Sequence, residues 1–311
     1  MRVLIFTHKS DIDGMGSVVL SKLAFKETDY VLCETFNLAN EFKTYYDSGK
    51  IYDYDMVYVT DLCLEEPFLS IISEDESLKN KFMVFDHHKS SVDINNNYDF
   101  VHVRIDDEKG MCSGTSLFYE YLGEHRLLSN TKEIEGFVEL TRRYDTWEWK
   151  NKYNDEMAHE LTLLFNAVGP DGYIKLMYDK LSNYGKNEFQ YNELERMLID
   201  NKKSQSSQKL SFYANKMVYK NVNDFRAGIV FIDYEYRNDL AEYLRENNFN
   251  IDFVMMVALD YGTISYRNIK DGIKVRRIAE SFGGKGHDYA ASSPINGAQK
   301  EEIIKVLTKK K

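Results

Sequence analysis

The chain has 311 residues, a length that suggests about two domains, and its 43% hydrophobic and 14% aromatic residues exclude a globally disordered protein. Its formal net charge of −10 argues against a protein that coats long nucleic acid, because such binding rests on many contacts from Lys and Arg to phosphate. The three cysteines are widely spaced and form no Cys-x-x-Cys pair, which argues against a disulfide framework and a thiolate zinc site.

The first half of the chain alternates short apolar runs with amphipathic stretches. The opening apolar run is only four residues long, too short for a signal peptide or a membrane span, so we expect a cytoplasmic protein. A helix is predicted after the first strand, at about 14–26, and the predicted strands cover residues 3–7, 30–35, 56–60 and 82–85. Strands that alternate with helices indicate βαβ units and a mostly parallel sheet with both faces covered.

The second half of the chain begins with a helical region and ends with a smaller α/β region. Residues from about 113 to 215 contain few β-rich runs, and the polar stretch at 201–209 is typical of a solvated helix or a linker. β-like runs return at 227–232, 253–259 and 263–266, and a helical segment lies at about 239–247. We therefore predict an α/β protein with three parts: a doubly wound, mostly parallel domain over 1–190, a helical linker over 191–218 and a smaller α/β domain over 219–311.

Candidate metal ligands first occur where the first predicted strand meets the first predicted helix. His8, Asp11 and Asp13 lie in the stretch His-Lys-Ser-Asp-Ile-Asp-Gly, and in open α/β sheets ligands bind beyond the carboxyl ends of the strands. Imidazole and carboxylate groups suit divalent metal ions, which would also let an acidic protein bind phosphate. Considered alone, a polar turn with an Asp helix cap explains the stretch equally well.

Two later predicted strands end in the same kinds of residue. Asp61 follows the third strand, where an Asp is by itself more often a cap or a turn. Asp86, His87 and His88 follow the fourth strand, and adjacent histidines have little use in packing because an unpaired imidazole is costly to bury. Asp145 ends an amphipathic helix, where an acid opposes the helix dipole and needs a cation. If the three strands are neighbours, their terminal residues converge on one rim.

In order along the chain, these motifs resemble the four motifs of the DHH phosphoesterase family. The resemblance continues into the C-terminal region, where Phe-Gly-Gly-Lys-Gly-His at 282–287 is similar to the glycine-rich signature of the associated DHHA1 domain. The domain order and the His-Lys-Ser-Asp form of the first motif look most similar to the oligoribonuclease branch of the nanoRNase B type. The resemblance implies a DHH catalytic domain, a DHHA1 substrate-binding domain and an active-site cleft between them.

The resemblance also implies two divalent metal ions, with Mn²⁺ preferred and Mg²⁺ as the alternative. It assigns three ligands to the first ion, namely His8, Asp11 and Asp61. It assigns four ligands to the second ion, namely Asp13, Asp61, His87 and Asp145, so that Asp61 is shared. His88 would face the phosphate, and Asp86 would act from outside the metal ligands by fixing an imidazole. Such a pair of ions activates a water and stabilises charge in the transition state.

A phosphate-binding role is implied for the C-terminal domain. Its glycine-rich stretch contributes five candidate residues: Gly283, Gly284, Lys285, Gly286 and His287. Glycines let backbone N–H groups approach a phosphate, although a plain turn is the commoner meaning of such a stretch considered alone. Arg267 resembles the family's Ser-x-Arg element and would bind phosphate through its planar guanidinium, with a surface strand residue as the competing interpretation. Lys285 departs from the family's usual run of glycines and adds a cation.

The expected function is a metal-dependent phosphodiesterase that degrades short oligonucleotides to nucleoside monophosphates. The expected partners are short RNA or DNA or small nucleotides, with no membrane, and a homodimer is compatible with the sequence. Three enzymatic alternatives are a phosphatase acting on 3′-phosphoadenosine 5′-phosphate, a phosphodiesterase acting on cyclic or linear dinucleotides, and a single-strand exonuclease of the RecJ type. The last is the least favoured, because no additional oligonucleotide-binding domain fits in 311 residues. A nucleotide-binding module without catalysis is the alternative from another class, and the intact metal motifs count against it.

Overall fold

The computed structural model describes residues 1–94, 97–183 and 188–308. The chain divides into two compact units, Met1–Lys202 and Lys203–Lys311. None of the helices in the described ranges is both long and apolar enough to cross a membrane.

The first unit contains a five-stranded sheet in which every neighbouring pair is parallel. Its strands are β1 (Arg2–His8), β2 (Glu27–Cys33), β3 (Met56–Thr60), β4 (Phe82–Asp86) and β5 (Val101–Val103), followed by a small hairpin of β6 (Asp106–Asp107) and β7 (Gly110–Met111). The order across the sheet is β2-β1-β3-β4-β5. Its helices are α1 (Ile12–Ala24), α2 (Leu38–Asp47), α3 (Glu66–Glu74), α4 (Gly114–Glu124), α5 (Lys132–Asp145) and α6 (Glu156–Asn183).

Two hydrophobic cores lie on opposite faces of this sheet. Along β1, Val3 and Ile5 contribute to one core whereas Leu4 and Phe6 contribute to the other, as the alternation of side chains along a strand requires. Helices α1, α4, α5 and α6 supply residues to the first core, and α2 and α3 supply the second. The predicted doubly wound, parallel sheet is confirmed.

The arrangement of β1, β3 and β4 brings their carboxyl ends together. β1 and β3 are neighbours with Thr7 opposite Thr60, and β3 and β4 are neighbours with Thr60 opposite Phe85. The hydroxyl of Thr60 donates to the hydroxyl of Thr7 at 2.8 Å, which ties two strand ends together inside the protein. The residues that follow these three strands therefore start from one edge of the sheet.

Several element boundaries differ from the sequence-based expectation. Helix α1 begins at Ile12, two residues before the expected start, because the Asp11 side chain accepts a hydrogen bond from the backbone N–H of Gly14 and caps the helix. Helix α6 is kinked where Gly169 adopts a φ of 71°. The polar stretch at 201–209 lies within helix α7 (Glu193–Lys216), so it is helical.

The second unit contains a six-stranded mixed sheet in the order β12-β13-β11-β10-β9-β8. Its strands are β8 (Val218–Val222), β9 (Phe225–Phe231), β10 (Phe253–Ala258), β11 (Thr263–Asn268), β12 (Lys285–Gly286) and β13 (Ala290–Pro294), and its further helices are α8 (Arg237–Glu246), α9 (Val275–Ser281) and α10 (Gly297–Thr308). β9 and β10 are parallel, and the other neighbouring pairs are antiparallel. A separate C-terminal α/β unit is confirmed.

Candidate active site

A first group of three ligand atoms forms around His8 at the end of β1. The Nδ1 atom of His8 lies 2.6 Å from Oδ2 of Asp11 and 3.6 Å from Oδ2 of Asp61. The three side chains offer one ligand atom each, all within 4.8 Å of one another. Two carboxylates and one imidazole at this spacing could hold a divalent cation.

A second group of three ligand atoms forms around His87, directly after β4. Its Nε2 atom lies 3.9 Å from Oδ2 of Asp13 and 3.4 Å from Oδ2 of Asp145. These three residues also offer ligand atoms within 4.8 Å of one another. The side chains come from helix α1, the end of β4 and the last residue of α5, so three separate elements build the group.

Asp61 lies between the two groups. One of its carboxylate oxygens, Oδ1, is 3.2 Å from Nε2 of His87, and the other, Oδ2, faces His8. The backbone of Asp61 adopts a φ of 57°, which is uncommon for a residue other than glycine and costs on the order of 1–3 kcal/mol. Its N–H donates to the Phe85 carbonyl at 2.9 Å, and that bond helps to hold the strained conformation. Each oxygen of one fully buried carboxylate therefore points to a different group.

Asp13 is held by the N-terminus of helix α4. Its two carboxylate oxygens accept hydrogen bonds from the backbone N–H groups of Gly114 at 2.6 Å and Thr115 at 2.9 Å. A helix N-terminus stabilises a negative charge, because its first N–H groups are unpaired and the helix dipole is positive there. A Cβ atom at position 114 would lie 2.7 Å from the Cβ of Asp61, so only glycine fits at this point. Sequence reasoning missed this support for Asp13.

The buried carboxylates of these groups carry an excess of negative charge. Burial is the main cause that raises the pKa of Asp13 to about 7, and repulsion from the Asp61 carboxylate adds to it. Burial is also the main cause that raises the pKa of Asp145 well above its ordinary value, and repulsion from the Asp13 carboxylate adds to it. Oδ2 of Asp61 and Oδ2 of Asp145 are buried and have no hydrogen-bond partner among the described residues. Buried oxygens without donors and carboxylates that resist ionisation fit a site that is completed by cations.

The two imidazoles compensate part of this charge. Burial alone would lower the pKa of His8, but the Asp11 and Asp61 carboxylates raise it to about 11. Burial opposes the same effect at His87, where Asp61 and Asp145 raise the pKa to about 10. Protons on both rings would balance part of the charge of the acids, and a metal ion that bound the two ring nitrogens would have to displace those protons.

Asp86 orients the ring of His88. Its Oδ1 atom lies 2.7 Å from Nδ1 of His88 and also accepts a hydrogen bond from the backbone N–H of His87 at 2.8 Å. Asp86 is buried, whereas 51% of the His88 side chain is exposed. The hydrogen bond that His88 donates to Asp86 raises the pKa of His88 against the opposing effect of burial. The arrangement leaves Nε2 of His88 as the atom able to face a ligand.

A network of charged side chains fixes the end of α5, where Asp145 lies. The guanidinium of Arg142 is buried and donates to Glu148 at 2.6 Å. The next residue, Arg143, donates to Asp155 at 2.8 Å. These ion pairs hold the helix end against the segment that follows it, so Asp145 is presented from a well-supported position.

A further carboxylate, Glu34, contacts the first group. Its Oε2 atom lies 3.2 Å from Nε2 of His8, and its Oε1 atom accepts a hydrogen bond from the Ser10 hydroxyl at 2.5 Å. Glu34 follows β2, the neighbour of β1 in the sheet, so it also starts from the edge where the three other strands end. The sequence-based prediction places Glu34 inside the second strand, at 30–35, whereas β2 ends at Cys33 and leaves Glu34 beyond the strand end.

In the second unit, Arg267 carries a guanidinium that lacks a carboxylate partner among the described residues. It donates to the Asn238 side-chain oxygen at 2.9 Å and to the Tyr266 carbonyl at 2.9 Å. Burial, with a further contribution from the charge of Arg237, lowers its pKa to about 10. A half-buried cation balanced only by neutral oxygens can accept an anion such as phosphate.

The glycines at 283, 284 and 286 are needed for a different structural reason from the one that the sequence suggests. The expectation is a loop kept free of side chains so that phosphate can approach, yet Lys285 and Gly286 form β12. Gly283 has a φ of 74° and Gly286 has a φ of 145°, so both favour glycine for conformational reasons. A Cβ at Gly284 would collide with the Ser292 carbonyl oxygen. Each glycine is therefore required by the chain itself, while the side chains of Lys285 and His287 are exposed.

Comparison with known proteins places the first unit in a family. A model of the DHH family, N-terminal domain, matches residues 2–141. The chain is also 30% identical over 294 residues to the oligoribonuclease NrnB of Bacillus subtilis (strain 168), an alignment that covers 94% of this chain and 72% of that protein.

Two solved structures are similar over almost the whole chain. The pGpG-specific phosphodiesterase PggH from Vibrio cholerae aligns with a TM-score of 0.55 and 14% identity, covering 99% of this chain and 97% of PggH. The exonuclease RecJ bound to manganese aligns with a TM-score of 0.56 and 11% identity, covering 98% of this chain and 88% of RecJ. At these identities the likeness concerns the fold.

Proposed function

Because the chain belongs to the DHH family, we propose that it is a metal-dependent phosphodiesterase that hydrolyses short oligonucleotides to nucleoside monophosphates. The observation that carries the proposal is the pair of ligand groups around His8 and His87, with Asp61 in contact with both histidines. The preference for short oligonucleotides is supported by the likeness to an oligoribonuclease, of which this chain covers 72%.

We assign the metal ligands to the two groups as they lie in the first unit. His8 and Asp11 would hold one divalent ion, and Asp13, His87 and Asp145 would hold another. Asp61 would contribute one oxygen to each ion. This set provides two imidazole nitrogens and several carboxylate oxygens, a mixture that suits Mn²⁺ and also accepts Mg²⁺. When bound, two such ions would lower the pKa of a bound water and stabilise the negative charge that develops on the phosphate oxygens.

His88 and Asp86 would act on the phosphate without holding a metal ion. Asp86 fixes the ring through Nδ1, so Nε2 of a protonated His88 is able to donate a hydrogen bond to a non-bridging phosphate oxygen. The charge that builds up on that oxygen during attack by water strengthens the hydrogen bond. Asp86 thereby contributes through the orientation and protonation of His88.

In the second unit, we assign phosphate binding to Arg267 and to the stretch that ends at His287. Arg267 lacks a carboxylate partner in the described part of the chain, and Lys285 and His287 add two exposed side chains that can donate hydrogen bonds. Gly283, Gly284 and Gly286 would contribute indirectly, by giving the backbone the conformation that presents Lys285 and His287: the N–H groups of Gly283 and Gly284 already donate to the carbonyls of Glu280 and Ala279. A nucleotide with a terminal phosphate is the ligand class that matches these donors.

The proposal is tested by product analysis with the full chain and Mn²⁺. Substrates are end-labelled RNA and DNA from two to about twenty nucleotides long, 3′-phosphoadenosine 5′-phosphate and a cyclic dinucleotide. Rapid conversion of di- to pentanucleotides to monomers, with rates that fall as length increases, is the expected result. Release of inorganic phosphate from phosphoadenosine phosphate alone would replace the proposal with a nucleotide phosphatase, and no turnover of any substrate by metal-loaded protein would replace it with a binding module.

The phosphate assignment has its own test. The Arg267→Ala variant is expected to raise KM for 5′-phosphorylated dinucleotides about tenfold or more with a smaller change in kcat, since a charge-assisted bond to phosphate is lost. The KM for the same dinucleotides without a terminal phosphate serves as the comparison. An equal KM for both substrates in the wild-type protein would remove the assignment.

A further inference from the structure

Three side chains in the second unit form a layered stack. The rings of Tyr234 and Tyr261 are nearly parallel, with an interplanar angle of 12° and ring centroids 4.0 Å apart. The guanidinium carbon of Arg237 lies 3.8 Å from the same Tyr234 centroid. Two groups so close to one ring must occupy its opposite faces, so the order of the layers is Arg237, Tyr234, Tyr261.

The base of this stack is fixed by additional bonds. Besides covering the ring of Tyr234, the guanidinium of Arg237 donates through Nη1 to the Tyr234 carbonyl at 3.0 Å. A guanidinium above an aromatic face is attracted by the ring quadrupole, and the hydrogen bond adds to that attraction. The two lower layers are therefore held in one orientation.

The top layer of the stack is open. Tyr261 lies in the turn between β10 and β11, and 59% of it is exposed. Among the residues that the structure describes, Tyr234 is the only ring that stacks on it. A large aromatic ring held flat, with one face supported and the other free, gains little from burial and presents a ready surface for another flat group.

The stack is close to the proposed phosphate-binding guanidinium. Asn238 follows Arg237 in helix α8, and its side-chain oxygen accepts hydrogen bonds from Nη2 of Arg267 at 2.9 Å and from Nε at 3.3 Å. The charge of Arg237 is also near enough to Arg267 to disfavour its protonated form. One helix end therefore connects an open aromatic surface with a cation that lacks an acidic partner in the described part of the chain.

We propose that the open face of Tyr261 is a stacking platform for a nucleobase, and that the base belongs to the nucleotide whose phosphate is bound by Arg267. The proposal rests on the proposed function only for the second clause. Stacking is tolerant of sequence because every base has a π face, so the platform separates nucleotides from sugar phosphates without selecting a base. Its rigid support reduces the entropy lost when the base is bound. The phenol oxygen of Tyr261 is not needed for this role.

Equilibrium binding of 5′-AMP and of ribose 5-phosphate to the full chain, measured by isothermal titration calorimetry, tests the platform. Wild-type protein is expected to bind 5′-AMP roughly tenfold or more tightly than ribose 5-phosphate, because only the former carries a base. Tyr261→Ala should bring the affinity for 5′-AMP down to that for ribose 5-phosphate and leave the latter unchanged. Tyr261→Phe should retain the wild-type difference.

Tyr219→Ala is the matched control, since Tyr219 is another exposed tyrosine of the second unit and lies in β8. Equal affinities for the two probes in the wild-type protein, or unchanged affinity for 5′-AMP in Tyr261→Ala, would overturn the platform. Loss of 5′-AMP binding in Tyr289→Ala but not in Tyr261→Ala would also overturn it, because the stacking would then occur on the exposed ring beside His287.

The outcomes also separate this inference from the proposed function. If the chain hydrolyses short oligonucleotides but binds the two probes equally, the proposed function stands and the platform is wrong. If the chain hydrolyses none of them but binds 5′-AMP in a manner that depends on Tyr261, the platform stands and the proposed function is wrong.

Discussion

Among single residues, Asp13 offers the most direct test of the metal assignment, because both of its oxygens already have fixed partners. In Asp13→Asn, the amide nitrogen would face one of the two backbone donors at the N-terminus of α4, and the negative charge would be lost. We expect activity to fall at least about 100-fold and the metal content to decrease, which activity assays and elemental analysis of the same preparation would measure.

Asp47→Asn is a suitable control for this substitution, since Asp47 is an exposed acid paired with Lys43 on α2. The control should keep both activity and metal. Full metal content with full activity in Asp13→Asn would contradict the assignment of the second ligand group.

His88 gives a pH-dependent prediction through its partner Asp86. The hydrogen bond that His88 donates to Asp86 raises the pKa of His88, so the protonated ring persists to higher pH and is lost as the pH rises through that raised pKa. Asp86→Asn removes the charge and lowers the pKa of His88. We expect the falling limb of kcat/KM to move to lower pH, as measured over about pH 5.5 to 9.

Asp93→Asn controls for the general loss of an acid near the end of β4, because Asp93 is exposed. Its profile should match that of the wild-type protein. A falling limb that stays in place in Asp86→Asn would mean that His88 does not set it.

At the scale of secondary-structure elements, the close approach of α1 to β1 positions two ligands at once. A Cβ atom at Gly14 would collide with the His8 carbonyl oxygen, and that oxygen belongs to the backbone and cannot turn away. Gly14→Ala is therefore expected to push α1 from the strand, to lower the free energy of unfolding by about 2 kcal/mol and to weaken metal binding. Urea unfolding in the presence of a chelator measures the change in the free energy of unfolding separately from the change in metal binding.

Gly297→Ala is the matched control for this change, since a Cβ there would meet no atom within 4 Å. It should leave stability almost unaltered. Wild-type stability in Gly14→Ala would show that α1 can shift without cost.

The sequence predicts the elements that build the site better than the contacts between them. Strands β1, β3 and β4 are apolar runs followed by Asp or His, so their existence and their terminal residues could be read directly. Strands β8 and β13 escape prediction because exposed or small side chains give them no clear apolar pattern. The hydrogen bond from Gly114 to Asp13 joins residues 101 positions apart, and no local pattern carries that information.

For the molecule as a whole, the charge of the candidate metal centre links stability to metal and to pH. Ions that bind only the folded chain stabilise it, by about 2.7 kcal/mol at a free concentration 100 times Kd. The raised pKa values of His8 and His87 mean that both rings carry protons near neutral pH, so binding must release them. We therefore expect Mn²⁺ to raise the Tm, and to raise it more at about pH 8.5 than at about pH 6.5.

Thermal unfolding with and without Mn²⁺ at the two pH values checks this expectation, and calorimetry in two buffers of different ionisation enthalpy counts the released protons. The Asp13→Asn variant is the internal comparison and should show a smaller rise. A rise in Tm that is larger at the lower pH would contradict the displacement of protons.

The guanidinium of Arg267 has a kinetic consequence. Since neutral oxygens rather than an acid surround it in the described part of the chain, it attracts the terminal phosphate of a product as well as that of a substrate. Under the proposed function, each nucleoside monophosphate released by hydrolysis becomes a competitor for the next oligonucleotide. Progress curves should then bend before the substrate is exhausted, and the pace of RNA or DNA turnover would depend on how fast other enzymes remove the mononucleotides.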